Sequence, residues 1–212
     1  MKLSLVAIAI FTLTLGFYTL VITQTVETPK TFTEWCEQKA SLPQETRHTV
    51  EVLLKVAKTQ NFAEAQNCSQ ANQTLTQLTE LNLHDNQISD TAPLSTLTNL
   101  TTLFLSENQI NDIKPLSNLT NLTILGLWRN QISDIKPLSN LTELTNLSLS
   151  ENQISDIKPL SNLTNLTELL LNKNQIRDTA PLSNLTNLTY LDLWQNPLTS
   201  KQCPLYPESI CK

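Results

Sequence analysis

Side chains that could perform acid–base, nucleophilic or redox chemistry are few in this chain of 212 residues. The two histidines are His48, in a stretch predicted to be helical, and His84, which adjoins Asp85. No serine stands in a nucleophile elbow, and the zinc-protease pattern H-E-x-x-H is absent. Because catalysis requires acid and base groups that converge, we expect a protein that is not an enzyme and needs no cofactor.

Aspartates that recur every 22 residues are the strongest candidates for a metal site. They are Asp90, Asp112, Asp134, Asp156 and Asp178. Each repeat supplies only one carboxylate, and the glycine turns typical of calcium-binding coils are missing, so we interpret them as turn caps. Lysines that follow by two residues are expected to offset the repulsion between the aspartates. We predict no bound metal.

An apolar segment opens the chain, with Lys2 before it and no charge in residues 3–26. The apolar residues 3–22 would span the ~30 Å core of a bilayer as a helix. A cleavable signal usually has a shorter apolar stretch and a small-residue cleavage site. Residues 1–26 are therefore predicted to be either a signal peptide or an uncleaved membrane anchor. Both alternatives export the rest of the chain to the periplasm, the cell surface or the medium.

Four cysteines could form disulfides in an exported chain, with three possible connectivities. Cys36 and Cys68 precede the repeats, whereas Cys203 and Cys211 follow them. These positions favour the pairs Cys36–Cys68 and Cys203–Cys211, each closing one end. Free thiols are the alternative, and a zinc site is weaker because no C-x-x-C spacing is present.

A repeat of 22 residues fills most of the chain, and a representative copy, residues 97–118, reads LTNLTTLFLSENQINDIKPLSN. Its pattern L-x-x-L-x-L-x-x-N is the leucine-rich-repeat signature. Alternation in residues 102–106 predicts a short strand with Leu103 and Leu105 buried. The Asn at the following turn is expected to be buried, to satisfy backbone groups and to form a ladder with its equivalents.

This unit, L-T-N-L-T-x-L-x-L-x-x-N-Q-I-S-D-I-K-P-L-S-N, resembles the repeat of the internalin-type bacterial leucine-rich-repeat proteins. The resemblance covers residues 75–198. It implies an α/β solenoid, a right-handed arc with a parallel sheet on the concave side and 3₁₀ turns on the convex side. Internalins are adhesins that bind host receptors with the concave face. The chain looks like a short exported form with disulfide-closed caps.

Both ends of a solenoid need a cap, because the core is otherwise exposed there. We predict a helical N-terminal cap in residues 27–74, repeats in 75–198 and a small C-terminal cap in 199–212. The helix after Pro43 should face the first coil, and Cys36–Cys68 should tie a short preceding helix to it. The predicted cap core contains Trp35, Val50, Leu53, Leu54, Val56 and Phe62.

Solvent-facing strand residues vary from repeat to repeat, and function is expected there. Neighbouring strands lie ~4.8 Å apart, so adjacent residues in a column touch. One predicted exposed patch contains Phe104, Ile124 and Trp128, with Gly126 giving Trp128 room to lie flat. A second patch contains Leu170, Tyr190 and Trp194. Exposed aromatic side chains on a rigid sheet are the usual anchors of recognition.

A charged column follows the strands and contains Glu107, Arg129, Glu151 and Lys173. Two interpretations remain open. The column is either a cross-strand charge ladder or a polar rim that orients a partner.

These features together predict a non-catalytic recognition module that binds a protein or peptide partner through its concave face. A glycan or peptidoglycan binder, with Trp128 and Tyr190 stacking on sugar rings, is one alternative, and a structural spacer is another. The net charge of -5 argues against nucleic acid as a partner. We expect membrane contact only through the N-terminal segment, and a monomer.

Overall fold

The computed structural model describes residues 28–60, 67–199, 203–205 and 207–211. The predicted leader, residues 1–26, and Phe62 lie outside these residues. Residues Thr31–Lys212 form one compact unit. Within its described residues, no helix combines the length and the apolar character needed to cross a bilayer.

One parallel sheet runs through the repeats, and its strands follow each other in sequence order. The six strands in the described residues are β1 (Glu80–Asn82), β2 (Thr102–Phe104), β3 (Ile124–Gly126), β4 (Asn146–Ser148), β5 (Glu168–Leu170) and β6 (Tyr190–Asp192). Each residue pairs with the one 22 positions later, as Leu103 does with Leu125. The central leucine of each strand is buried. The predicted strands and their register are therefore confirmed.

Short 3₁₀ turns lie on the opposite side of each coil from the strand. They are Ala92–Thr96, Lys114–Asn118, Lys136–Leu138, Lys158–Leu160 and Ala180–Leu182. A proline occupies the first turn of each, where its fixed φ suits the helical start and its missing N–H costs nothing. This arrangement confirms the predicted leucine-rich-repeat solenoid.

The core is a continuous stack of leucine and isoleucine layers. In the coil of residues 97–118 the predicted side chains Leu97, Leu100, Leu103, Leu105, Ile110 and Leu116 are all at most 1% exposed. Ile113 completes the layer and was not predicted. Full burial of one such side chain contributes about 1.5–3 kcal/mol, which only stacked coils can supply.

The repeated Asn at the turn after each strand joins one coil to the coil before it. Asn130 Nδ2 donates to the carbonyl oxygens of Leu105 at 3.0 Å and Leu127 at 3.2 Å. Its Oδ1 accepts from the backbone N–H of Ile110 at 3.0 Å. The predicted burial is confirmed for the four central members of the column. The ladder, however, runs from each Asn to backbone groups of the preceding coil, not from Asn to Asn.

A second Asn column and a Thr column form further ladders. Asn121 Nδ2 donates to the carbonyl of Thr98, and Asn165 to that of Thr142, both at 2.9 Å. Glu143 interrupts this column at the equivalent position. The hydroxyl of the Thr before each strand donates to the carbonyl of its equivalent in the preceding coil.

The recurring aspartates cap the start of the 3₁₀ turns, as predicted. Asp134 Oδ1 accepts from the backbone N–H of Lys136 at 2.9 Å, and the other four aspartates accept in the same way. The expected offset of the aspartate charges by the neighbouring lysines stays a prediction. It is the backbone of the lysines that contacts the aspartates, and among the described residues no ion pair joins them.

The N-terminal cap contains three α-helices in the described residues: α1 (Phe32–Glu37), α2 (Gln44–Gln60) and α3 (Cys68–Thr76). Side chains of Thr31 and Asn67 cap α1 and α3. The Cys36–Cys68 disulfide forms as predicted, but it ties α1 to α3 and not to the long helix. The prediction missed the separate third helix.

Helix α2 covers the first coil with both apolar and polar contacts. Trp35, Val50 and Leu53 are buried as expected, whereas Leu54 and Val56 are half-buried. Thr49 Oγ1 donates to the carbonyl of Asp90 at 2.7 Å, and Thr46 donates to the Asp90 carboxylate. His48 Nε2 lies 2.7 Å from the carbonyl of Asn86. These polar contacts were not foreseen.

The last coil is covered by the loop that the second disulfide closes. Cys203 and Cys211 are bonded, which confirms the predicted pair. Cys211 also forms a parallel bridge with Leu191 of β6, and Leu205 is buried against the core. The end of the sheet is therefore shielded by a short covalently closed segment.

Candidate binding surface on the concave face

The face of the sheet that points away from the core is here called the concave face. A cleft of about 170 Å³ opens on it across strands β2 to β5. Its solvent-facing lining consists of Phe104, Ile124, Gly126, Asn146, Ser148, Glu168 and Leu170. This set is named the concave cleft below. It differs from the predicted grouping, because Leu170 joins Phe104 and Ile124 while Trp128 is not part of it.

Gly126 creates space for Phe104 and not, as predicted, for Trp128. A Cβ atom at Gly126 would lie 3.0 Å from Cδ1 of Phe104 and 3.3 Å from Oγ of Ser106. The ring of Phe104 therefore rests against the bare backbone of the next strand. Phe104 and Ile124 are both half-buried, so the first patch is less exposed than predicted.

Trp128 lies half-buried beside the charged column. Its indole N–H interacts with the Glu151 carboxylate, whose main partner is the Lys173 ammonium at 2.6 Å. The Lys173 hydrogen bond holds the pKa of Glu151 below its ordinary value of 4.5, and Trp128 and Arg129 lower this pKa further, against partial desolvation. Trp128 therefore lies next to a polar network.

Two cross-strand ion pairs lie along the charged column, an arrangement compatible with both the charge ladder and the polar rim. Arg129 Nη1 lies 2.8 Å from Glu107 Oε2, and His84 Nε2 lies 3.5 Å from the other oxygen of Glu107. Arg129 therefore pairs with Glu107 and not with both neighbouring glutamates. Exposed pairs of this kind contribute only about 0–1 kcal/mol each, so their effect on stability is small.

The charged column also has an unusual backbone that the sequence did not reveal. Glu107, Arg129, Glu151 and Lys173 have φ values of 53°, 55°, 53° and 55°, in the left-handed region that favours glycine. Each such residue costs roughly 1 kcal/mol. The backbone hydrogen bonds to the next coil, such as Glu107 N–H to the Trp128 carbonyl at 2.8 Å, hold it there.

Tyr190 and Trp194 are the large apolar side chains with the highest exposure among the described residues. Tyr190 is 38% exposed and Trp194 is 57% exposed. The alternative that the C-terminal cap covers Trp194 is therefore wrong. Both residues lie at the β6 end of the concave face, apart from the lining of the concave cleft.

Polar residues of the concave cleft were absent from the predicted site. Asn146 Nδ2 donates to Glu168 Oε2 at 2.7 Å across neighbouring strands. Ser148 lies opposite Gly126 and Leu170 in the register. Both positions vary between repeats, and that variation was the signal that could have identified them.

Comparison with known proteins places these features in a family. Three consecutive matches to the family described as Leucine Rich repeats (2 copies) cover residues 76–118, 120–162 and 164–205. The chain is similar to internalin C2 from Listeria monocytogenes, whose crystal structure is known, with 32% sequence identity and a TM-score of 0.58. The match covers 76% of this chain and 90% of internalin C2. The chain belongs to the internalin-type leucine-rich-repeat proteins. No curated protein matches the chain at a significant level.

Two further solved structures extend the comparison of this internalin-type chain. Internalin F from Listeria monocytogenes is 29% identical with a TM-score of 0.62, and the match covers 88% of this chain but 58% of that one. The plant peptide hormone receptor RGFR1, solved in complex with RGF2, is 35% identical with a TM-score of 0.53. That match covers 60% of this chain and 22% of the receptor chain.

Family membership indicates a protein–protein interaction module. Leucine-rich-repeat proteins of this kind are generally non-catalytic binding proteins, and their repeated scaffold presents a variable surface. In the described part of the chain, no group of three or more His, Cys, Asp or Glu side chains is arranged to hold a metal ion. The two disulfides indicate that the internalin-type chain folds outside the reducing cytoplasm.

Proposed function

We propose that this chain binds a protein or peptide partner outside the cytoplasm, with the concave cleft as the principal contact. The observation that carries the proposal is the cleft itself. It opens where residues change between repeats whose remaining positions are nearly constant. Concave apolar surfaces with a few polar groups are the usual form of recognition sites.

In this proposal, the remaining predicted site residues lie around the concave cleft and also contact the partner. Trp128 and the Arg129 and Lys173 ion pairs supply a polar rim, and Tyr190 and Trp194 supply a second contact at the β6 end. Rims fix orientation and association rate more than affinity. A monomer with a signal peptide or membrane anchor in residues 1–26 completes the proposal.

The test compares binding by the purified full chain and by variants. The full chain and each variant are crosslinked to an extract of cell-surface proteins. Any captured partner is then purified, and its affinity for the full chain and for each variant is measured. Phe104→Ala is expected to weaken binding at least about tenfold, because truncating an anchor costs 1.4 kcal/mol or more. Lys136→Ala, in an exposed 3₁₀ turn, is the control and should bind normally.

Two results would overturn the proposal. Equal binding by the wild type and a Phe104→Ala, Leu170→Asn double variant, with both chains folded, would exclude the concave cleft as the contact. Binding on a glycan array that disappears with Tyr190→Ala, together with no protein partner, would favour the sugar alternative.

A further inference from the structure

Glu168 is the charged side chain in a cleft whose other lining residues are apolar or neutral. It is half-buried, and one of its carboxylate oxygens accepts from Asn146. The ion pairs among the described residues involve Glu107 and Glu151, and none involves Glu168. A carboxylate can accept more hydrogen bonds than this one, so Glu168 has free acceptor capacity for a cationic group that arrives from outside.

Apolar side chains line the same cleft as this carboxylate, namely Phe104, Ile124 and Leu170. In the strand register Glu168 stands between Asn146 and Tyr190, whose ring is exposed. An aliphatic chain that ends in a positive charge matches such a surface, because the stem can contact the apolar wall and the cation can contact the carboxylate.

The charged side chains on the surrounding strands are negative, as Glu168 is. The first and third residues of each strand face solvent and form two columns across the sheet. These columns contain Glu80, Glu168 and Asp192, and neither Lys nor Arg occurs in them. The cations of the charged column, Arg129 and Lys173, are already paired with glutamates. The strand surface is therefore acidic, and it would attract a basic segment and repel an acidic one.

We propose that the concave cleft receives a lysine or arginine side chain of the partner. The aliphatic stem packs against Ile124 and Leu170, and the cationic group contacts Glu168. This inference rests on the proposed function, since it names the chemistry of the partner at the same cleft.

The probe is a displayed library of random peptides, selected on the full chain and on two variants. Glu168→Gln keeps an oxygen for Asn146 but removes the charge. Glu143→Gln removes the same charge from an exposed position outside the cleft, and is the matched control. Lys and Arg are expected to be enriched in binders selected on the wild type and Glu143→Gln, and not on Glu168→Gln.

Purified peptides then test the contact directly. Replacing the selected lysine with norleucine preserves most of the stem and deletes the charge. The wild type is expected to bind the norleucine peptide about tenfold more weakly, as a single charge-assisted contact provides. Glu168→Gln should bind both peptides with equal affinity.

Each outcome distinguishes the inference from the proposed function. Binders that require Phe104 but show no basic enrichment would leave the function standing and overturn the cationic contact. Basic binders that are unaffected by Glu168→Gln would also overturn it. If neither library peptides nor surface proteins bind the folded wild type, both proposals fail together.

Discussion

The ring of Phe104 lies against Gly126 of the next strand, so closely that an added Cβ would be 3.0 Å from Phe104 Cδ1. Gly126→Ala must therefore shift the ring by a few tenths of an ångström. We expect the free energy of unfolding to change by less than about 1 kcal/mol, because the lower entropy of the unfolded chain offsets the crowding. Partner affinity should fall, as measured by titration with a peptide selected on the wild type.

A double-mutant cycle with Phe104→Leu provides the control for this prediction. In that background the smaller side chain leaves room for the Cβ, so Gly126→Ala should cost less binding affinity. Additive effects of the two substitutions on affinity would show that the two residues act independently.

Asn130 is predicted to be among the most important polar residues for stability. Asn130→Ala would leave the N–H of Ile110 without its buried partner. It would also remove one of the two amide donors to the carbonyl of Leu105, which keeps its bond from Asn108 Nδ2. An orphaned buried N–H costs about 1–3 kcal/mol, and each lost hydrogen bond to a carbonyl that keeps another donor costs about 0.5–1.5 kcal/mol. We therefore expect a loss of roughly 2–4 kcal/mol in urea unfolding followed by circular dichroism.

Asn196 provides the matched comparison, because it makes the same contacts in the last coil but is only half-buried. Asn196→Ala should therefore cost clearly less than Asn130→Ala. Equal losses of unfolding free energy would mean that burial of the Asn side chain does not determine how much stability its hydrogen bonds provide. A lower m-value for Asn130→Ala would indicate that the solenoid unfolds in two parts.

Stacking, strand register and the Asn turns could be predicted because each rests on a residue type that recurs in register. The left-handed backbone at Arg129 could not, since no glycine marks it and the surrounding hydrogen bonds impose it. The concave cleft depends on which way Phe104 turns, and that is decided by a neighbour 22 residues away. Helix α3 was not predicted because the cap lies outside the repeats, where no recurring pattern marks the ends of its helices.

The interruption of the second Asn column at position 143 yields a stabilising substitution. Asn121 and Asn165 each donate to a threonine carbonyl in the preceding coil, whereas Glu143 cannot donate. Glu143→Asn should restore the missing bond to the carbonyl of Thr120 and add about 0.5–1.5 kcal/mol to the free energy of unfolding. Thermal and urea unfolding would both register the gain.

Glu143→Gln separates this bond from a simple charge effect. It removes the same carboxylate but carries its amide one methylene further out, beyond the geometry that Asn121 and Asn165 share. If Gln stabilised the chain as much as Asn, the gain would come from reduced acidic repulsion and the ladder explanation would be wrong.

The pH response of Trp128 is expected to report on Glu151. Lys173, and less strongly Trp128 and Arg129, hold the pKa of Glu151 below 4.5. A lowered pKa in the folded state means that the fold favours the ionised form. The resulting stabilisation is present above pH 4.5 and is lost as the pH falls through the lowered pKa. The indole N–H resonance of Trp128 should shift over that acidic range.

Lys173→Ala removes the largest cause of the lowered pKa, so the midpoint of the Trp128 shift should rise towards 4.5. The indole signal of Trp128 is identified among the three tryptophans with Trp128→Phe. Lys136→Ala deletes a positive charge from a 3₁₀ turn and should leave the midpoint unchanged. A midpoint that rises equally in both variants would assign the effect to overall charge, because Lys173 pairs with the Glu151 carboxylate and Lys136 lies in a 3₁₀ turn.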